Sequence, residues 1–293
     1  MARHILTGLT PGVYEHPFDR AALASLEKMP GVSLLLKKIN EYGIDRILRL
    51  ECLGSEIRVT PRNFPKLHQA LVETCRVLDV TPLPELYLFR GTGNIQSYTV
   101  GVEKPLVSVN LEAMEWLSPE ELLYLLGHEV AHIKSRHLVY HQMAIVLPTL
   151  KSAISATTLG LGGLAASGIE LAFWNWLMMA KFTSDRAGLL ACQDTNVATT
   201  VLMKLAGLPS EYLNPDTIED FLAQAREFEA NNFDNLDKFT KMLSFKESFR
   251  SWALMRAAEL LKWIDSGEYA SLIQQKNLDK SEEKEEWNFL TSW

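Results

Sequence analysis

Three residues in this chain could do chemistry together: His128, Glu129 and His132, in the run Leu123-Leu-Tyr-Leu-Leu-Gly-His-Glu-Val-Ala-His-Ile133. On a helix the two histidines stand four residues apart and share a face, so both imidazoles can grip one metal ion. The glutamate between them can reach a water bound to that ion. This is the arrangement of a zinc hydrolase, with Glu129 as the base that takes the water's proton. The remainder of the run is apolar, where an imidazole or a carboxylate without partners is costly to bury.

A catalytic zinc usually takes a third protein ligand. A histidine six residues after His132 is excluded, because that position is Leu138. Between Ile133 and Ser210 the acidic residues are Glu170, Asp185 and Asp194, which completes the list of carboxylate candidates. At about 100° per residue on a continuing helix, His137 and His141 fall away from the face of His128 and His132 and are expected to be polar surface residues.

The elements that must position this motif follow from periodicity and breakers. Ser118-Pro-Glu-Glu121 supplies an N-cap, a proline at the first position and acidic first-turn residues, a strong start for the motif helix. That helix is expected to run on through Lys134–His141 and reach Met143–Pro148. Upstream, helical spacing over Ala21–Lys28 and Gly31–Leu50 is broken at Met29-Pro-Gly31 and Gly43. A short strand at Ile57–Thr60, a helix over Pro61–Leu78, and strands at Glu85–Arg90 and Pro105–Asn110 follow. Between the last two lies Gly91–Gly101, either a plain exposed hairpin or a sheet edge to which a substrate peptide could add as a strand through Gln96, Ser97, Tyr98 and Thr99.

Downstream, Ser152–Ile169 is 18 uncharged residues, the lower limit of a membrane span. Its Gly, Ala, Ser and Thr content suits close helix packing in lipid or in a protein core, so membrane contact through 152–180, with Trp174 and Trp176 at an interface, stands beside a buried helix. Further helices are expected over Lys181–Cys192, Val197–Gly207, Pro215–Phe228 and Phe249–Trp263. The whole is expected to be α+β and mainly helical: an N-terminal helical arm over 1–60, the motif-bearing domain over 61–275 with the apolar helical segment 143–180, and a charged tail over 276–293.

With 293 residues, 47% of them hydrophobic, the chain can bury a large core. A net charge of −7 argues against nucleic acid as a partner, since phosphate binding needs a basic face. Cys52, Cys75 and Cys192 are too scattered for a disulfide framework. The first residues lack a secretory apolar run, which favours the cytoplasm or the cytoplasmic face of a membrane.

The chain resembles the HtpX-like and CAAX-prenyl-protease-like zinc metallopeptidases, a gluzincin family. The likeness is carried by His16-Pro17, Pro30-Gly31, Pro84-Glu-Leu-Tyr87, Thr99-Val-Gly101, Gly127-His-Glu-Val-Ala-His-Ile133, Ser184-Asp-Arg-Ala-Gly-Leu-Leu190 and Ser266-Gly-Glu-Tyr269. It implies a zincin-like domain with a small sheet beside the motif helix, a Zn2+ cofactor, and protein or peptide substrates cut by a metalloendopeptidase. The resemblance also implies a glutamate ligand four residues before Asp185, where this chain has Lys181, and a His-Pro pair where it has Arg250-Ser251, although Arg256 is kept. An ammonium has no lone pair to give a metal. So either Asp185 completes the ligand set with His128 and His132, or the two histidines bind a metal weakly by themselves, or no metal binds; if not a ligand, Asp185 could hold a histidine ring from behind. The competing expectation is a catalytically degenerate relative that binds proteins or acts as a scaffold.

Overall fold

In a computed structural model, residues 3–41, 43–144, 146, 161–230 and 251–274 are described. The motif helix, α6 (Pro119–Lys134), is the axle of the fold: Glu121 to His132 are all buried. Twelve consecutive buried residues span more than three turns, so every face of the helix is covered. Its start is the expected one. Ser118 accepts from the Glu121 backbone N–H at 3.3 Å, while the Glu121 carboxylate accepts from the Ser118 N–H at 2.8 Å, a reciprocal cap. Lys204 closes the arrangement with its Nζ 2.7 Å from Glu121 Oε2.

One flank of α6 is covered by a four-stranded sheet in the order β1-β2-β4-β3, with β1 Ile57–Arg58, β2 Glu85–Phe89, β3 Ser97–Val100 and β4 Leu106–Asn110. Strands β2 and β4 run parallel, while β1 and β3 are antiparallel edges. β4 is buried at all five positions, as a strand covered on both faces should be. The segment Gly91–Gly101 thus supplies an edge strand at the end of the sheet nearest α6. Helix α4 (Pro65–Val77) packs on another side of α6 and α5 (Leu111–Trp116) leads into it.

The third flank is α8 (Leu161–Cys192), which lies along α6. Two glycines set how close they come. A Cβ on Gly127 would meet the Ala191 Cβ at 2.6 Å and the Gly188 Cα at 3.0 Å, and one on Gly188 would meet the Tyr124 carbonyl oxygen at 2.8 Å. Only hydrogen fits at both positions, and the backbones close to that distance.

Helix α6 does not continue to His141. It stops at Lys134, Arg136 takes a left-handed conformation with φ of 57°, and residues 138–144 resume a helix (α7) on a new axis. The N-terminal helices are α1 (Pro17–Glu27), α2 (Val32–Glu41) and α3 (Ile44–Ser55). α1 packs on α8, and its Asp19 is fully buried. Beyond α8 come α9 (Thr195–Leu205), α10 (Pro215–Ala230), α11 (Ala253–Asp265) and α12 (Glu268–Gln274).

The molecule is therefore mainly helical, with a small sheet beside the motif helix. Among the described residues no helix is long and apolar enough to cross a membrane. Residues 152–160 of the apolar stretch, Arg250 and the tail over 276–293 lie outside the described residues. Trp176 is wholly buried with its indole N–H on Asp19 at 2.9 Å, a core position. The three cysteines are buried free thiols.

Candidate active site

His128 and His132 project from one face of α6 with ring centroids 5.3 Å apart and planes at 74°. Two imidazoles on one tetrahedral zinc, each nitrogen about 2.0–2.1 Å from the ion, bring their ring centres to about 5 Å. The pair fits that spacing. His128 Nδ1 lies 2.8 Å from Asp185 Oδ1; a carboxylate can only accept, so Nδ1 carries the proton and Nε2 keeps its lone pair. The close approach of α8 at Gly188, one turn from Asp185, makes this contact.

Asp185 is fully engaged. Arg256, from α11, donates through Nε to Oδ2 at 2.8 Å and through Nη2 to Oδ1 at 2.6 Å, and the Tyr124 hydroxyl adds a bond to Oδ1 at 3.0 Å. With the His128 N–H, Oδ1 receives three donors and Oδ2 one, so both oxygens are engaged. Burial alone would raise the Asp185 pKa, but the Arg256 charge and the bonds from Arg256 and His128 hold it well below the usual carboxylate range. Asp185, one of the carboxylates expected as a metal ligand, meets the ring of His128 on its Nδ1 side. Of the other carboxylate candidates, Asp194 caps α9 by accepting from the Asn196 and Val197 N–H groups, and Glu170 lies about 22 Å along α8 from Asp185.

His137 and His141 are not surface residues. The left-handed turn at Arg136 breaks the regular 100° step and folds the chain back on α6. His137 becomes 1% exposed with its Nδ1 3.1 Å from Nδ1 of His132, and the half-buried His141 ring stacks 4.6 Å from that of His132. Burial, with the charges of His141 and His137 next, pushes the His132 pKa well down; burial with His137 and Lys181 takes His141 to about 3. Both rings are neutral at physiological pH.

Glu129 faces the sheet edge. Its Oε1 accepts from Ser97 Oγ and its Oε2 from Thr99 Oγ1, both at 2.6 Å. Ser97 and Thr99 share the face of β3 turned to α6, while Tyr98, one residue out of phase, points to the other face and meets Glu56. Gln96 is exposed; its backbone N–H and C=O pair with Asn110.

Lys181 lies one turn before Asp185 on α8, half-buried. Desolvation, reinforced by the Arg256 charge and opposed by Asp185 and Glu129, lowers its pKa to about 8, so it remains mostly cationic at pH 7. Among the described residues no group of three His, Cys, Asp or Glu could hold a metal ion. The donors present thus fit an ion as a pair of histidines, with a cation where the resemblance implies the third ligand.

Sequence reasoning listed His128, Glu129, His132, Asp185 and Lys181, and all five gather at the site. It missed the roles of Tyr124, Arg256 and His137. Nothing in Lys134-Ser-Arg136 announces the turn, because no glycine or proline marks it.

Comparison with known proteins gives the chain its relatives. The chain is 30% identical over 273 residues to the plastoglobule-localized metallopeptidase 48 of Arabidopsis thaliana, covering 92% of this chain and 78% of that protein. It is 26% identical over 182 residues to Protease HtpX homolog 2 of Methanosarcina acetivorans and 30% over 148 residues to the Protease HtpX homolog of Moorella thermoacetica. Those alignments take in 53% and 50% of this chain, and 61% and 48% of the respective proteases. No solved structure matches the chain significantly. The model of peptidase family M48 matches residues 61–249, which brackets strands β2 to β4, the motif helix and α8, and the chain belongs to that family, among the HtpX-like zinc metallopeptidases.

Proposed function

We propose that this chain is a zinc-dependent endopeptidase acting on proteins, with the metal on His128 and His132, Glu129 as proton acceptor and donor, and β3 as the edge along which substrate lies. The observation that carries the reading is the pair of histidines at metal-sharing spacing, each held at Nδ1 from behind, beside a glutamate fixed in place by β3. Bound there, zinc would acidify its water and polarise the scissile carbonyl. Asp185 serves as the acceptor that keeps His128 in its metal-binding tautomer, in place of a ligand role. Ser97 and Thr99 hold the Glu129 carboxylate still, and each of its oxygens keeps a further acceptor site for the proton it must take. The backbone of Gln96, Ser97, Tyr98 and Thr99 offers the substrate an edge for added strand pairing.

One observation favours a second reading, a catalytically degenerate protein-binding member: the ammonium of Lys181 repels a dication where a carboxylate would attract it. Zinc titration of the purified full chain separates the two. One equivalent bound, lost in His132→Ala, supports the peptidase. A chain that takes up no zinc supports the second reading.

A further inference from the structure

Asp19 is 0% exposed and lies far from any solvent: it accepts from Trp176 Nε1 on Oδ1 at 2.9 Å and from Thr183 Oγ1 on Oδ2 at 2.6 Å, and its Oδ2 stands 3.2 Å from His137 Nε2, an ion-pair contact. The Thr183 hydroxyl oxygen is itself taken by the His16 backbone N–H at 3.0 Å, so its own hydrogen goes to Asp19. A carboxylate oxygen at that distance favours a proton on Nε2 of His137. With that proton alone on the ring, the lone pair of His137 is on Nδ1, the atom 3.1 Å from Nδ1 of His132. His132 then donates across that contact, which leaves its lone pair on Nε2. Ser184 Oγ, 3.3 Å from that Nε2, can donate to it.

We propose that Asp19 and His137 are positioning residues that dictate the tautomer and ring angle of His132, as Asp185 does directly for His128. The proton order starts in α1, is relayed across one imidazole, and ends on the nitrogen that would hold the metal. The arrangement makes α1 part of the site. His16 caps that helix through Nδ1, which accepts from the Phe18 N–H at 3.1 Å, and its Nε2 lies 3.1 Å from Glu259 on α11. α1 and α11, each carrying one carboxylate or guanidinium that reaches the histidines, are thereby tied to each other.

This inference rests on the proposal that His132 is a metal ligand, and its test has a readout that does not. Long-range 15N–1H correlation spectra of the chelator-treated full chain should show His132 protonated on Nδ1 and bare on Nε2. His137→Phe should scramble that tautomer and weaken zinc binding by about tenfold to a hundredfold, the usual reach of an outer-shell partner. His137→Gln, whose amide can accept from His132 and donate to Asp19, should recover most of both, a rescue that filled volume alone would not give. Asp19→Asn should act in the direction of His137→Phe, and decides the matter should the phenylalanine variant fail to fold. A wild-type spectrum with the His132 proton on Nε2, or a folded His137→Phe with unchanged tautomer and zinc affinity, overturns the relay. Absence of zinc binding in the wild type with the Nδ1-protonated spectrum intact would instead refute the metal reading and leave the relay standing.

Discussion

At the scale of single residues, the site is a set of acceptors assigned by donors that cannot do otherwise. Asp185 shows how this sets stability. Its folded pKa lies below the unfolded one, so the stabilisation is complete above about pH 4 and is lost as the pH falls through the folded value. Asp185→Asn also leaves Arg256 buried without its counter-charge, a cost of about 3–5 kcal/mol. Urea unfolding should show that deficit at pH 7 and a narrowing gap between variant and wild type below pH 4; an equal gap at both pH values would contradict the assignment. Lys181 makes the opposite kind of prediction. Lys181→Glu replaces a cation beside the two histidines with a carboxylate and should tighten zinc binding on the order of tenfold or more in a titration. Unchanged affinity would mean that residue 181 does not face the ion. The residue identities at the centre of the site were legible in the sequence, because a four-residue spacing on a helix is a geometric statement. The partners of His132 were not, because Asp19 is 113 positions away and His137 reaches the ring only through the turn at Arg136.

Between elements, the decisive contact is that of α6 with α8, and two glycines permit it. Adding one methyl at Gly188 would drive a carbon to 2.8 Å from the Tyr124 carbonyl oxygen, so Gly188→Ala should cost about 1–3 kcal/mol by overpacking and lower the thermal midpoint. It should also loosen zinc binding, because Asp185 rides on the same turn. A variant with wild-type melting temperature would show that the helices have room to part. The start of α6 was readable from Ser118-Pro-Glu-Glu121, whose cap, proline and acid lie within one turn. Its end was not: left-handed Arg136 has no glycine to signal it, and tertiary packing of His137 under Trp176 supports a conformation that local preference disfavours by about 1–2 kcal/mol. Strand β3 was ambiguous for a related reason, since a polar segment alternating Ser97, Tyr98 and Thr99 becomes an edge strand only when α6 gives its hydroxyls a carboxylate to meet.

Across the whole molecule, elements from both ends converge on one helix. α1 brings Asp19, the sheet brings Ser97 and Thr99, α8 brings Asp185 and Lys181, and α11 brings Arg256. The α+β class, with the sheet beside the motif helix, could be read from alternating patterns. The docking of α1 and α11 could not, because it depends on buried polar pairs more than 160 residues apart in the chain. We propose that this assembly hydrolyses peptide bonds with Glu129 as its base. The most direct test is cleavage of a quenched fluorescent polypeptide by the zinc-supplemented full chain, compared with Glu129→Gln at matched zinc content. The account predicts cleavage by the wild type, abolished by a chelator and reduced in Glu129→Gln by about a hundredfold or more. Equal cleavage by the two proteins, or none by either with zinc bound, would contradict it.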